Sequence, residues 1–217
     1  MFWSFYPVIS FEIYSKLFIN DRINSPVPRT QVASSLEYAN SVLGSYNAYS
    51  NNLRDFTQVS LWFPTKPQTV LDTKAKADIK EYTLSIPKLN IKDAKVMVGG
   101  EDLKKSLVHY LPESMPGENG NIAIFGHSTL PQLYDPKNYT TIFTYLPSLE
   151  KGDKIDIKIE DKSFEYEAFD IFVVNPEEVS ILEQASDASY LTLVTCVPPG
   201  TYWKRLVVRA KLTKTLD

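Results

Sequence analysis

Short segments in which apolar and polar residues alternate recur along the chain between residues 81 and 212. The clearest is KIDIKIE at residues 154–160, where Ile155, Ile157 and Ile159 fall on one face of an extended strand. Similar strands are predicted at residues 82–91, 94–98, 121–126, 164–174, 190–196 and 205–212. Closing such strands into a barrel or sandwich buries their apolar faces and removes exposed sheet edges. We therefore predict a mainly β fold.

The first 78 residues differ in character from the rest of the chain. Apolar residues at helical spacing predict an amphipathic helix over residues 30–46, and prolines interrupt the segments on either side of it. We predict an N-terminal, partly helical appendage and linker over residues 1–78, and a β domain over residues 79–217. Within the β domain, residues 102–111 (DLKKSLVHYL) are predicted to form a helix.

Residues 1–11 (MFWSFYPVISF) form an uncharged run that is rich in aromatic residues. The run is shorter than the roughly 20 apolar residues that cross a bilayer as a helix, and it lacks the basic segment and cleavage site of a signal peptide. Two interpretations stay open. The run packs on the protein or lies at a membrane surface, where Trp3 and Tyr6 would suit the lipid–water interface. Alternatively, it is the exit end of a membrane-spanning helix that begins outside this sequence.

The content of charged and metal-binding residues excludes several classes of function. The net charge at pH 7 is −3, so the chain lacks the dense positive surface of a general nucleic-acid binder. It contains one cysteine, Cys196, and two histidines, His109 and His127. A single cysteine forms no internal disulfide, and this set is too small for a zinc site built from cysteine and histidine. No metal or other cofactor is expected.

Three residues with reactive or charged side chains fall at the ends of predicted strands. Cys196 comes directly before Val-Pro-Pro-Gly, a turn that cannot continue β pairing, and Arg205 opens the next strand nine positions later. His127 follows the apolar strand NIAIFG. Each residue also has a structural interpretation: a buried thiol, a hydrogen-bonded imidazole and a solvated cation. For His109, in the predicted helix beside lysines, a packed or solvated role is favoured.

These three residue types supply the parts that acyl transfer by a thiol requires. The nucleophile is a thiolate, which cationic neighbours favour. The departing amine needs a proton donor, and a histidine supplies one near neutral pH. The tetrahedral oxyanion needs a hydrogen-bond donor or a cation, such as a guanidinium. The sequence therefore indicates a thiol-based catalytic site at Cys196, His127 and Arg205.

Two stretches carry a resemblance to a known family. TLVTCVPPGTYWKRLVVRA at residues 192–210 resembles the signature of the sortases, the cysteine transpeptidases of bacterial cell surfaces. MPGENGNIAIFGHS at residues 115–128 is similar to the loop and strand that end in that family's Gly-His, and SIPKLNI at residues 85–91 is similar to its first barrel strand. The resemblance covers residues 80–213, with histidine, cysteine and arginine in the family's order.

The resemblance implies a fold and a set of site residues. The fold is a closed eight-stranded β-barrel with short helices. Cys196 would be the nucleophile, His127 the general acid and base, and Arg205 the cation that binds the oxyanion or positions the substrate. Thr195 and Leu193, in the strand before the nucleophile, match the family motif and would bind substrate, with Thr195 lining the groove for the sorting signal.

The resemblance also implies a reaction, partners and a location. An LPxTG-like motif would be cleaved between Thr and Gly, and a thioester with the enzyme would be resolved by an amine of a cell-wall precursor or a pilin lysine, or by water in a side reaction. The partners would be proteins with sorting signals, the amine acceptor and the membrane, reached through the N-terminus. The catalytic domain would face outward from the cell membrane.

The subclass and two rival functions stay open at this stage. Residues 175–189 are too short for the long helical insertion of class B sortases, and no Asp-Pro-aromatic motif of a pilin-polymerising class C enzyme precedes residue 80, where the nearest analogue is Trp62-Phe63-Pro64. An enzyme like those of class A, D or E is therefore favoured. The rivals are a cysteine peptidase that hydrolyses its substrate, and a surface β-barrel for adhesion or binding in which Cys196 is merely buried.

Overall fold

The computed structural model describes residues 2–21, 57–62 and 79–216. One helix, α1, spans Phe2–Phe18, and short 3-10 turns include Val59–Trp62, Pro87–Leu89 and Ser180–Leu182. The strands are β1 (Asn20–Asp21), β2 (Glu81–Ile86), β3 (Ile91–Val98), β4 (Leu107–Tyr110), β5 (Gly120–Phe125), β6 (Lys154–Ile159), β7 (Lys162–Val174), β8 (Ser189–Val197) and β9 (Lys204–Leu216).

Strands β2 to β9 form a closed eight-stranded barrel. Their order is β7-β6-β2-β3-β4-β5-β8-β9, and pairing between β9 and β7 completes the circle. Strand β1 adds to the outside of this circle, parallel to β7. The prediction of a mainly β, closed eight-stranded barrel is confirmed.

The barrel interior is filled by the apolar residues of the alternating pattern. Ile155, Ile157 and Ile159 of β6 belong to this core, as do Leu191 and Leu193 of β8. The opposite faces of several strands are apolar as well, which gives the barrel wall a second buried layer. We call this layer the outer cluster. It comprises Val59, Trp62, Leu103, Val108, Ala123, Phe125, Phe172, Val174, Ile181, Leu182, Val194, Cys196 and Val207.

The helix predicted at residues 102–111 is wrong. The second half of this segment is strand β4, which is parallel to β3 and antiparallel to β5. Leu107 packs in the barrel core and Val108 in the outer cluster, so successive side chains point to opposite faces. Two neighbouring strands supply backbone partners on both edges, and this tertiary pairing outweighs the local helical preference.

Because residues 107–110 form a strand and not the predicted helix, His109 is completely buried. Its ring lies edge-on to that of Tyr82, with the ring centroids 5.9 Å apart. Burial lowers the pKa of His109 to about 3, so the imidazole is neutral at physiological pH. Neither ring nitrogen has a hydrogen-bond partner among the described residues. His109 is therefore a packed side chain on a wall of the barrel.

Part of the N-terminal region lies against the barrel. Helix α1 buries Phe11, and Ile19 after the helix is buried in the barrel's core cluster. Within the described residues, no helix is both long and apolar enough to span a bilayer. The helix predicted at residues 30–46 lies outside the described residues, and the boundary predicted between residues 78 and 79 stays a prediction.

Candidate active site

The parallel pairing of β5 and β8 brings His127 and Cys196 to the same height on the barrel. Phe125 of β5 is paired with Val194 of β8. Two positions further along each strand direction are His127 and Cys196, so both residues lie at the same rim. The sequence predicted each residue at a strand end, and the register now makes them neighbours.

Arg205 completes this grouping from the other side of β8. In the antiparallel pair of β8 and β9, Cys196 and Arg205 are direct partners. Directly opposed residues project to the same face of a sheet, with their Cβ atoms about 5 Å apart. The structure therefore brings together the three residues that the sequence predicted to be catalytic.

Backbone and hydroxyl hydrogen bonds hold the His127 segment against the Cys196 strand. The Gly126 amide donates to the Val194 carbonyl at 3.1 Å, and the Thr195 hydroxyl donates to the Gly126 carbonyl at 2.8 Å. The Ser128 hydroxyl donates to the carbonyl of Cys196. The residues on both sides of His127 are thus tied to β8. Sequence reasoning missed Ser128, although its position next to His127 was a usable signal.

Arg205 is buried and surrounded by backbone carbonyl groups. Its Nη1 atom donates to the carbonyls of Tyr202 at 3.1 Å and Lys204 at 3.2 Å, and its Nη2 atom donates to the Trp62 carbonyl at 3.0 Å. The guanidinium carbon also lies 5.1 Å from the centroid of the Trp62 ring, a cation–π arrangement. Its Nε atom has no hydrogen-bond partner among the described residues.

Residues 57–62, which we call the covering segment, lie over this site. Trp62 is fully buried, and its ring centroid is 6.0 Å from that of His127 and 5.5 Å from that of Phe125. Under this cover, Cys196 is only 2% exposed and His127 only 9% exposed. The thiol is therefore closed to a peptide in this state. Sequence reasoning had noted Trp62 only as part of an incomplete motif.

The covering segment is anchored to the connection between β3 and β4. The Val59 amide donates to the Glu101 carbonyl at 3.2 Å, and the Leu103 amide donates to the Thr57 carbonyl at 3.0 Å. An isolated antiparallel bridge joins Gln58 to Asp102 between these two bonds. The Ser60 amide also donates to the Glu101 carboxylate at 3.2 Å, and Arg205 donates to the Trp62 carbonyl at 3.0 Å. These hydrogen bonds and the packing of apolar side chains hold the segment.

The covered site favours the uncharged forms of both predicted reactive groups. Burial raises the pKa of the Cys196 thiol, and the neighbouring Arg205 guanidinium offsets part of that rise. The pKa of His127 is lowered to about 4, chiefly by burial and to a smaller extent by Lys104, while Asp102 opposes part of the shift. The pair in this state is therefore a thiol and a neutral imidazole at neutral pH.

Leu193 and Thr195, predicted to bind substrate, are completely buried. Leu193 is part of the barrel core, whereas Val194 and Cys196 belong to the outer cluster. Strand alternation puts Thr195 on the same inward face as Leu193. Burial on the inward face does not support a place for either side chain in a substrate groove, and the substrate-binding role of both residues stays a prediction. Cys196 packs in the outer cluster, whose members sequence reasoning missed because they come from separate segments.

No group of three or more histidine, cysteine, aspartate or glutamate side chains in the described part of the chain is arranged to hold a metal ion.

A family profile described as Sortase domain matches residues 84–213, which is more than half of the chain. The chain belongs to the sortase family. The resemblance found in the sequence is thereby confirmed. Sortases are cysteine transpeptidases, and this is the class of enzyme to which the chain belongs.

Individual sortases support the same assignment. Sortase D of Bacillus subtilis is 30% identical over 164 residues, a match that covers 67% of this chain and 77% of that protein. Sortase SrtE1 of Streptomyces coelicolor is 31% identical over 147 residues, which covers 60% of this chain and 40% of that protein. The structure of the Clostridium perfringens Sortase D5 transpeptidase superposes with a TM-score of 0.54 and 27% identity, covering 69% of this chain and 91% of the other.

Proposed function

We propose that this sortase cleaves an LPxTG-like sorting motif between Thr and Gly and transfers the new acyl group to an amine. The observation that carries this proposal is the register of three strands. Cys196 is paired with Arg205 on one side and lies level with His127 on the other, so one rim supplies a thiol, an imidazole and a guanidinium. Each of the three roles in acyl transfer then has one supplier.

In the first half of the proposed reaction, the Cys196 thiol transfers its proton to His127. The sulfur then attacks the carbonyl carbon of the motif's Thr, and the carbonyl oxygen becomes an oxyanion that Arg205 stabilises. The imidazolium of His127 donates its proton to the departing amine of the Gly residue. The C–N bond breaks, and a thioester joins Cys196 to the substrate.

In the second half, an acceptor amine attacks the thioester carbon. His127 takes a proton from the attacking amine and returns it to the Cys196 sulfur as the C–S bond breaks. A new amide bond forms, and the enzyme is regenerated without an external cofactor. The proposed acceptor is an amine of a cell-wall precursor or a pilin lysine.

Substrate access in this proposal requires an exchange of partners at Arg205. Its Nη2 atom donates to the Trp62 carbonyl in the covered state. A substrate oxyanion at the same guanidinium would replace that carbonyl as acceptor. Moving the covering segment would therefore expose Cys196 and free a donor of Arg205 in one step.

Family membership implies a cell-surface enzyme that acts on proteins with sorting signals, and we infer that this chain reaches the membrane through α1. Four side chains form an exposed apolar stripe at helical spacing on α1: Tyr6, Ile9, Ile13 and Leu17, between 53% and 69% exposed. Phe11 and Ser15 lie on the buried side of the same helix. An apolar stripe that faces away from the barrel suits the interfacial region of a lipid bilayer.

The attachment is tested by sedimenting the chain with phosphatidylglycerol vesicles. We expect the double variant Ile9→Asp, Ile13→Asp to lose binding, because two charges then interrupt the stripe. The matched control is the double variant Leu133→Asp, Trp203→Asp, which places the same two charges at exposed apolar side chains of the barrel domain that are 62% and 63% exposed. Equal binding by all three proteins would contradict a role of α1.

The proposed reaction is tested with a quenched library of LPxTG-type peptides, with and without a glycine or diaminopimelate amine. We expect cleavage by the full chain that Cys196→Ala abolishes, with product diverted to the amine adduct. Cleavage without capture by any amine would indicate a cysteine peptidase instead. A chain that cleaves no peptide, even after residues 57–62 are displaced by Trp62→Ala, would favour the alternative of a non-catalytic binding barrel.

A further inference from the structure

Beyond the end of β5, the segment that carries His127 has a neighbouring strand on one side only. The amide and carbonyl groups of Gly126 both face β8, where they form hydrogen bonds. Because successive residues of a strand turn their backbone groups to opposite sides, those of His127 and Thr129 face away from β8. On that side is β4, whose pairing with β5 reaches only Phe125, opposite Val108. The backbone of residues 127–129 therefore needs partners from elsewhere.

A turn in the connection between β5 and β6 supplies these partners. The Phe143 amide donates to the His127 carbonyl at 2.9 Å, and the Thr129 amide donates to the hydroxyl oxygen of Thr144 at 3.0 Å. Residues 127–129 thus accept one hydrogen bond and donate the other, as they would in a ladder with a further strand. In this ladder the threonine hydroxyl takes the place of a backbone carbonyl.

A second hydrogen bond fixes the orientation of the Thr144 hydroxyl. Thr144 is buried, and its hydroxyl donates to the Thr141 carbonyl at 2.6 Å. A hydroxyl has a single hydrogen to donate, so this bond leaves the lone pairs of the oxygen for the Thr129 amide. Both hydrogen bonds depend on one oxygen atom. Valine, which has nearly the same shape as threonine, would form neither of them.

The turn is itself anchored in the barrel. Phe143 is fully buried and belongs to the core cluster. Its ring also packs so closely on Gly126 that a Cβ atom at position 126 would lie 2.5 Å from it. A continuous path of contacts therefore runs from the barrel core, through Phe143 and Thr144, to the backbone on both sides of the His127 imidazole.

We propose that Thr144 is a positioning residue for His127. The inference rests on the proposed function, in which His127 moves protons to and from the reacting groups. Thr144 does not touch those groups. Its hydroxyl holds residues 127–129 from the side that β8 does not reach, and it thereby fixes the place of the imidazole relative to the Cys196 sulfur. Proton transfer is sensitive to that placement, so the role belongs to kcat rather than to KM.

The test is Thr144→Val in the full chain, assayed with the peptide that the wild-type enzyme cleaves best. We expect kcat to fall about tenfold and KM to change less than about twofold, because the acid–base group is displaced while peptide binding is retained. Thr144→Ala removes the same hydroxyl and should give the same result. Thr144→Ser keeps the hydroxyl and should keep kcat within about twofold of the wild type.

The matched control is Thr141→Val, a change of the same residue type in the same turn. Thr141 is also buried. Its hydroxyl accepts from the Asp135 amide at 3.0 Å and donates to the carbonyls of Asp135 at 2.8 Å and Asn138 at 3.2 Å. These bonds are confined to residues 135–138 and do not reach His127. We expect Thr141→Val to lower the melting temperature as Thr144→Val does, but to leave kcat within about twofold of the wild type.

A second measurement follows the imidazole without any substrate. The chain has two histidines, so its imidazole C–H signals in an NMR spectrum are those of His127 and His109 alone. His109 is packed on the wall of the barrel and serves as the internal reference for an intact fold. In Thr144→Val, the His127 signal should shift and hydrogen exchange at the Thr129 amide should accelerate, while the His109 signal stays in place. Neither change is expected in Thr141→Val or Thr144→Ser.

Three outcomes would overturn the inference. The first is an unmoved His127 signal in Thr144→Val, and the second is an unchanged kcat in that variant. The third is an equal loss of kcat in Thr141→Val or Thr144→Ser, which would separate the effect from the Thr144 hydroxyl. Failure of the proposed function is recognised separately, because the wild-type chain would then show no cleavage that depends on Cys196. The NMR and exchange measurements would still decide whether Thr144 holds residues 127–129.

Discussion

Arg205 and Trp62 are joined by two interactions that differ in kind. The Arg205 guanidinium donates a 3.0 Å hydrogen bond to the Trp62 carbonyl, and its carbon lies 5.1 Å from the centroid of the Trp62 ring. Trp62 therefore accepts a hydrogen bond from Arg205 and also stacks against its guanidinium group, which we propose to bind the oxyanion. The covering segment and the proposed catalytic site are coupled at this point, and we expect access to Cys196 to respond to changes at Trp62.

The first prediction concerns the cover itself. In Trp62→Ala, the covering segment loses its largest buried side chain, so Cys196 should react with a methanethiosulfonate reagent at least about tenfold faster than in the wild type. The free energy of unfolding should fall by about 3 kcal/mol, because a large buried ring is removed. The matched control is Trp203→Ala, since Trp203 is 63% exposed and its loss should change neither quantity. Equal thiol reactivity in wild type and Trp62→Ala would show that Trp62 does not limit access.

The second prediction concerns the pH dependence of the same thiol. Burial raises the pKa of Cys196, because a thiolate is poorly solvated in the covered site. Removing Trp62 should admit water, and the midpoint of the rate of Cys196 alkylation against pH should move to lower pH in Trp62→Ala. A midpoint that stays in place or moves upward would mean that the cover does not cause the raised pKa. Trp203→Ala again serves as the reference that should match the wild type.

The third prediction concerns the guanidinium group. Arg205→Lys keeps the positive charge but loses the planar group that stacks on Trp62 and donates to three carbonyls. If Arg205 stabilises the oxyanion, kcat should fall by about 100-fold in the peptide assay. Arg209→Lys makes the same change four residues further along β9, and we expect an effect of less than twofold on kcat. A similar fall of kcat in Arg205→Lys and Arg209→Lys would indicate a general effect on charge or stability rather than the loss of oxyanion stabilisation.

The fourth prediction concerns Ser128, whose hydroxyl donates to the carbonyl of Cys196. Ser128→Ala should lower kcat several-fold and the free energy of unfolding by about 1 kcal/mol, because one tie between the His127 segment and β8 is lost. Ser128→Thr keeps the hydroxyl and should restore kcat. The control Ser148→Ala removes a similar hydroxyl, bound at 2.7 Å to the Tyr145 carbonyl on an exposed turn, and should leave kcat unchanged. Failure of threonine to rescue would argue against a role of this hydrogen bond.

The fifth prediction concerns the stability of the barrel in acid. Burial lowers the pKa of His109 to about 3, below the usual 6.5, so the unfolded chain binds a proton more readily than the folded chain. The stabilising contribution is complete above pH 6.5 and declines as the pH falls towards 3. In urea titrations between pH 7.5 and pH 4.5, His109→Leu should lose about 2 kcal/mol less stability than the wild type. Parallel losses in both proteins would mean that His109 does not titrate on unfolding.

The barrel and the grouping of reactive residues were predictable because both depend on local patterns. Alternation of apolar residues predicts which strands bury a face, and β6 shows this with Ile155, Ile157 and Ile159. The spacing between Cys196 and Arg205 is a local property of the sequence. The pairing of β8 and β9 then places the two residues directly opposite each other. For His109, the local pattern was misleading, because partners on β3 and β5 converted a helical preference into a strand.

By itself, the sequence determined the mainly β class, the closed barrel and the family, since periodicity and a contiguous motif are properties of neighbouring residues. Only the tertiary structure decided that Trp62 covers Arg205, that Leu193 belongs to the barrel core, and that the Ser128 hydroxyl binds the carbonyl of Cys196. Trp62 and Arg205 are separated by 143 positions, and Ser128 and Cys196 by 68. Contacts over such separations arise from the closure of the barrel and from the packing of segments on its wall, which no local pattern encodes.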